Sequence, residues 1–235
     1  MNLAGSEAWR AAYPGACVGV LAMEGVANPR ESPGLERNKR ALEAELRSMY
    51  GSANRGGLRS HPAIAPYAAY YKRFDKTYHV FHQLESVVFK GKSIPRVAAL
   101  VEAMFMAELK NLLLTAGHDL GSVQGGLWLD VAGEERTYIL LNGREQPLKP
   151  GDMFIHDEVG ILSSILYGPD QRTRITPSTT RALFTVYAPA GVGEPRVRAH
   201  LEEIADYARV VAPTATVESL QIVSAGDPAP PTLRV

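Results

Sequence analysis

Two adjacent hydroxyls, Ser163 and Ser164, interrupt the apolar run ILSSIL at 161–166, and two guanidinium groups, Arg172 and Arg174, follow in the turn GPDQRTRI. Hydroxyls on a buried strand need hydrogen-bond partners, since leaving one unpaired costs about 1–3 kcal/mol. A ligand can be that partner, and so can a neighbouring backbone carbonyl. Guanidinium groups suit phosphate or carboxylate, because their planar fork donates two parallel hydrogen bonds. The other claim on Arg172 and Arg174 is an ion pair with Asp170 or Asp157. An apolar sheet that carries small polar groups and ends in a basic turn describes a small-molecule pocket. Side chains alternate along a strand, so only one of the two serines can face a given cavity.

Turn signals at Asn142-Gly143, Pro150-Gly151 and Gly168-Pro169 divide the segment 142–188 into short apolar runs, the pattern of an antiparallel sheet. Asn142-Gly143 is a strong short hairpin signal. Upstream, LWLDV at 127–131 and TYILL at 137–141 read as strands, and ACVGVLA at 16–22 as a buried strand. Helical spacing marks 33–50, where Ser32 caps, Pro33 suits the first turn, and Leu35, Leu42, Leu46 and Met49 share a face. A long helix is expected over 93–116, with Pro95 in its first turn and Val97, Val101, Met104, Leu109, Leu112 and Leu113 as its apolar stripe. A last amphipathic helix covers 195–210. The change of period near Gly117 from 3.6 to 2 predicts an α+β fold, with that long helix lying across a mostly antiparallel sheet. The expected division is 1–60 as an N-terminal strand-helix elaboration and linker, 61–224 as the main domain, and 225–235 as a disordered Pro-rich tail.

Bulk composition narrows the function. The 235 residues carry 25 Lys+Arg against 25 Asp+Glu, and neutrality argues against an extensive footprint on duplex nucleic acid, though not against gripping one RNA end. No binding to DNA is expected. The single cysteine, Cys17, excludes a disulfide framework and a multi-cysteine metal site. His79 and His82 stand three apart, but no further ligand cluster accompanies them, so neither metal nor cofactor is expected. No window has the roughly 18 apolar residues of a membrane span, and MNLAGSEAWR is not a signal peptide, which reads as a cytoplasmic protein. Dinucleotide, phosphate-loop, GxSxG and HExxH motifs are absent. In 61–91, tyrosines interleave with Lys72, Arg73 and Lys76; such a stretch either stacks nucleic-acid ends or forms an aromatic satellite core.

The order LTAGHDLGSVQGG, YILLNGREQPLKPGD, ILSSILYG and TPSTTRALFTVYA, spread over residues 65–210, resembles the B3/B4 domain of the phenylalanyl-tRNA synthetase β-subunit, in a free-standing version. The resemblance implies an editing hydrolase that deacylates misacylated aminoacyl-tRNA in trans, with the aminoacylated tRNA 3′ end as partner and no metal. It also implies residues. The turn LLNGRE sets Glu145 on the family's pocket glutamate, as a candidate catalytic group. The family's pocket histidine falls on Ala116, leaving His118, two residues on, as the candidate catalytic histidine. Ser163 and Ser164 match the small-residue pocket wall, Met104 and Phe105 stand where the family has a polar pair, and Arg172 and Arg174 lie in a turn like the free-standing members' arginine turn. Asp119 matches a family aspartate whose expected role is a structural cap. The alternative reading keeps the fold without the chemistry: a binding module for an amino acid, an RNA 3′ end or a protein partner.

Overall fold

The structure, a computed structural model, describes residues 2–53, 55–133 and 136–227. In chain order its elements are β1 (Leu3–Gly5), α1 (Glu7–Ala12), β2 (Cys17–Glu24), α2 (Pro33–Tyr50), α3 (Arg55–Arg59), α4 (Ala65–Lys72), α5 (His79–Val88), α6 (Ala99–Asn111), β3 (Thr115–Asp119), β4 (Leu127–Val131), β5 (Thr137–Ile139), β6 (Glu145–Pro147), β7 (Met153–His156), β8 (Ile161–Ser164), β9 (Gly168–Pro169), β10 (Arg181–Ala188), α7 (Glu194–Val211) and β11 (Thr216–Ser224). The fold is α+β with mostly antiparallel sheets, as the periodicity predicts. One sheet runs β11-β2-β10-β3, and a second runs β1-β4-β7-β8-β9, in which only the β1–β4 pair is parallel. Strands β5 and β6 form the hairpin expected at Asn142-Gly143, with Gly143 at φ 79°.

Strand β2 is buried along nearly its whole length because it lies between β10 and β11. Helix α7 crosses it so closely that a Cβ on Gly19 would stand 2.5 Å from Val197 Cγ1, so only glycine fits there. The segment 1–60 thus supplies a central strand of one sheet, and β1 adds an edge to the other. Residues 225–227 follow β11 as a turn; positions 228–235 of the expected tail lie outside the described residues. Among the described residues no helix is long and apolar enough to cross a membrane.

Two sequence expectations fail locally for tertiary reasons. The helix expected over 93–116 spans only Ala99–Asn111. Its first-turn amides are satisfied by a distant loop, with Ala99 N donating to Pro29 O at 3.0 Å and Leu100 N to Asn28 Oδ1 at 2.9 Å. That anchorage starts the helix after Pro95 and leaves Val97 largely exposed. Leu112 closes it in the left-handed region at φ 59°, where the Leu112 carbonyl accepts from the Tyr78 hydroxyl at 3.1 Å. Gly117 accordingly sits inside β3 rather than ending a helix. In α2, Leu35, Leu42 and Leu46 are buried as expected, but Met49 is exposed, because the apolar stripe runs past the core in the last turn.

The aromatic block forms core rather than a stacking platform. Tyr67 and Tyr78 stack at 4.4 Å, and both are buried with Tyr70 and Tyr71. Their hydroxyls are spent internally: Tyr67 donates to Tyr187 O at 2.6 Å, Tyr71 to Ile165 O at 2.5 Å and Tyr70 to Asp152 Oδ1 at 2.9 Å. Buried rings with satisfied hydroxyls have no face left for a base. They tie α4 and α5 to β7, β8 and β10, and so brace one wall of the candidate site.

Candidate functional site

A cavity of about 660 Å³ opens between α5, α6, β3 and the β8–β9 turn. Its apolar wall comes from α6, where Val101, Met104, Phe105 and Glu108 recur at helical spacing on one face. Opposite, β3 contributes Thr115, Ala116 and Gly117. Gly117 keeps the space open: a Cβ there would stand 2.9 Å from Ile175 Cδ1 and 3.3 Å from Met104 Sδ. The remaining wall includes Ser164, Leu166, Tyr167 and Tyr187.

Four of the expected site residues meet at this cavity: Met104, Phe105, Ser164 and Arg174. Ser163 is not among the residues lining it. Its hydroxyl lies 2.9 Å from the Tyr187 hydroxyl, fully buried in the protein interior. Ser164 accepts from Tyr167 N at 3.2 Å. Arg174, at the rim, is exposed, donates to Gln171 O at 3.4 Å and forms no ion pair among the described residues. It also borders a polar groove of about 690 Å³ with Arg172, Ser122, Thr176 and Ser178. A free guanidinium thus joins an apolar chamber to a polar channel.

The other expected residues are placed elsewhere. Arg172 is committed to structure: it pairs with Asp157 Oδ1 at 2.9 Å and donates to Ser122 O at 2.8 Å. Asp157, which also accepts from the amides of Gln124, Val159 and Gly160, is held below the usual carboxylate range by those bonds and by Arg172, which outweigh the desolvation that opposes them. Glu145 stands exposed on β6 and borders none of the cavities described; the hairpin reaches the site through Leu141 instead. The physical reason is the pairing of β6 with β5 in a separate two-stranded ribbon, not beside β8. His118 is wholly buried on β3, with Nδ1 2.7 Å from Thr173 Oγ1 and Nε2 without a protein partner. Burial pushes it down to about 3, so it is neutral, and alternation along β3 turns it away from the face of Gly117. Asp119 is the structural cap expected, accepting from Gly121 N at 2.9 Å and from Thr179 Oγ1 at 2.7 Å.

Three polar residues that the sequence reading did not select border the cavity. Glu108 is 1% exposed; its Oε1 accepts from Thr115 N at 2.7 Å, while Oε2 has no protein partner. Burial raises it to about 8 against the lowering effect of the Thr115 amide. Gln83 Oε1 is likewise buried without a partner. His79, which burial lowers to about 4, lies 3.4 Å from the Tyr71 hydroxyl through Nδ1. A signal for Glu108 was present, namely a carboxylate seven residues after Val101 on the apolar face of a helix. Among the described residues no group of three or more His, Cys, Asp or Glu is arranged to hold a metal.

Comparison with protein-family models finds no match. Over 69 residues the chain is 30% identical to the phenylalanine–tRNA ligase β subunit of Mycoplasma genitalium; the match spans 29% of this chain and 9% of that subunit. Among solved structures, an N-terminal fragment of the phenylalanyl-tRNA synthetase β-subunit from Pyrococcus horikoshii aligns with 94% of this chain at 10% identity and a TM-score of 0.47, the chain spanning 50% of that fragment.

Proposed function

We propose that the chain is a trans-acting hydrolase that deacylates misacylated aminoacyl-tRNA. The amino acid occupies the cavity against Met104, Phe105 and Ser164, and the terminal nucleotide lies at Arg174. The observation that carries this reading is that one exposed guanidinium, Arg174, borders both a largely apolar cavity and a neighbouring groove. The 30% identity to a tRNA ligase subunit supports it over a short stretch.

In the reaction, water attacks the ester carbonyl carbon and the bond to the ribose oxygen breaks. That oxygen takes up a proton from the water to become the ribose hydroxyl, releasing the amino acid as its carboxylate and a proton to solvent. Such an ester needs mainly positioning and stabilisation of the oxyanion. His79, neutral, can order the water by accepting one of its hydrogens. Neither Glu145 nor His118 has this access.

The positions of those two residues also favour a second reading, a non-catalytic module that binds an amino acid or an RNA 3′ end. Incubating the protein with a panel of misacylated tRNAs and following ester loss separates the two. Deacylation of at least one member is expected, with the preferred member changed by Ser164→Val. Tight binding with the ester intact across the panel would replace the hydrolase with the binding module.

A further inference from the structure

Two polar atoms at the cavity wall are buried without a protein partner. They are Glu108 Oε2 and Gln83 Oε1, and Glu108 Oε2 is an acceptor once the carboxyl ionises. Two hydroxyls nearby are engaged: Thr115 Oγ1 lies 2.6 Å from His200 Nε2, and Tyr187 donates to Ser163 O at 2.8 Å. A buried acceptor left unpaired is costly, and a buried carboxylate more so. The wall is therefore complementary to a ligand group that brings several hydrogens and a positive charge. At the rim the sign reverses, with Arg174 exposed and cationic.

We infer that the cavity holds a primary ammonium group carried on an apolar body, with Glu108 as its counter-ion and Gln83 as a further acceptor. An ammonium has three donors and no acceptor, so it can satisfy both atoms. The apolar body packs on Val101, Met104 and Phe105. Empty, Glu108 is kept protonated by burial; a cation beside it draws it into the ionised form. The inference rests on the hydrolase reading only in supplying the inner subsite for an aminoacyl ester, whose α-ammonium would lie inward while its phosphates remain at Arg174.

The test needs neither ester nor RNA. Calorimetry on the full chain compares phenethylamine, 2-phenylethanol and 3-phenylpropionate, which share a phenyl body and differ in the polar group. Phenethylamine is expected to bind about ten- to hundredfold tighter than 2-phenylethanol, with 3-phenylpropionate weakest, the range of a charge-assisted hydrogen bond. Glu108→Gln should remove that advantage and leave 2-phenylethanol binding unchanged. Equal binding of all three by the unaltered chain, no binding of any, or an undiminished preference in the Gln variant would overturn the inference; the ligand series decides even if the variant does not fold. Amine binding without deacylation would sink only the hydrolase, and deacylation without amine preference only the ammonium site.

Discussion

The Ser163 hydroxyl lies 2.9 Å from the Tyr187 hydroxyl, while its chain neighbour Ser164 borders the cavity. Two adjacent serines therefore answer to different demands. Ser164→Val should narrow the cavity and change which ligand is accepted, and, because Ser164 is buried and accepts from Tyr167 N, it should also lose some stability. Ser163→Val should leave selectivity alone and cost about 1–3 kcal/mol, the range for a disturbed buried hydrogen bond. Thermal melts and a ligand-size series on both variants check this; equal effects on selectivity would refute it.

The arginines divide in the same way. Arg172→Ala exposes Asp157 and Ser122 O to the loss of their charged partner, and should destabilise the fold by about 1.5–3 kcal/mol. Arg174→Ala should melt like the parent and bind an RNA 3′ end about ten- to hundredfold more weakly. Reversed phenotypes would exchange the two roles.

Glu145→Ala should change neither stability nor ester hydrolysis, because the carboxylate is exposed and borders no described cavity. Steady-state rates on a misacylated tRNA substrate measure this, and a clear fall in turnover would return Glu145 to the site.

Lys39 is buried between Glu102 at 2.8 Å and Glu36 at 2.9 Å, and Glu102 also accepts from Val97 N at 2.9 Å. Removing the cation leaves a buried carboxylate uncompensated at the start of the helix that forms the cavity wall. Lys39→Ala should cost about 3–5 kcal/mol in denaturant unfolding. A loss under about 1 kcal/mol would mean that Glu102 is paired by other groups.

Glu108 makes stability depend on pH. Its folded-state value, about 8, lies above the unfolded value, so the folded chain binds the proton more tightly. That contribution is complete below the unfolded value and is lost as pH rises through the folded one; Asp152, raised to about 7, acts in the same direction. His118 and His200, lowered to about 3, act oppositely and remove stability as pH falls below the usual histidine range. From Glu108 alone the loss between pH 5 and pH 7 is on the order of 2–3 kcal/mol. Glu108→Gln should flatten that part of the profile; an unchanged slope would place the titration elsewhere.

Much of the fold was legible because local rules and tertiary packing agreed. Ser32 and Pro33 begin α2, Asn142-Gly143 turns the β5–β6 hairpin, and the apolar run at 16–22 lies within buried β2. At the site, Ser164 and Arg174, singled out by type and spacing, and Met104 and Phe105, placed by the family resemblance, border one cavity. The sequence could not show which sheet each strand joins. Glu145 is set apart because β6 pairs only with β5, and His118 because its strand turns that side chain toward Thr173. Nor could it show that Asn28 and Pro29 would fix the start of α6, some seventy residues away. Sequence spacing determines which face of an element a side chain takes. Only the long-range pairing of those elements decides whether that face meets a cavity, a neighbouring sheet or water, and Glu108 acquires its unpaired oxygen and raised pKa from that pairing alone.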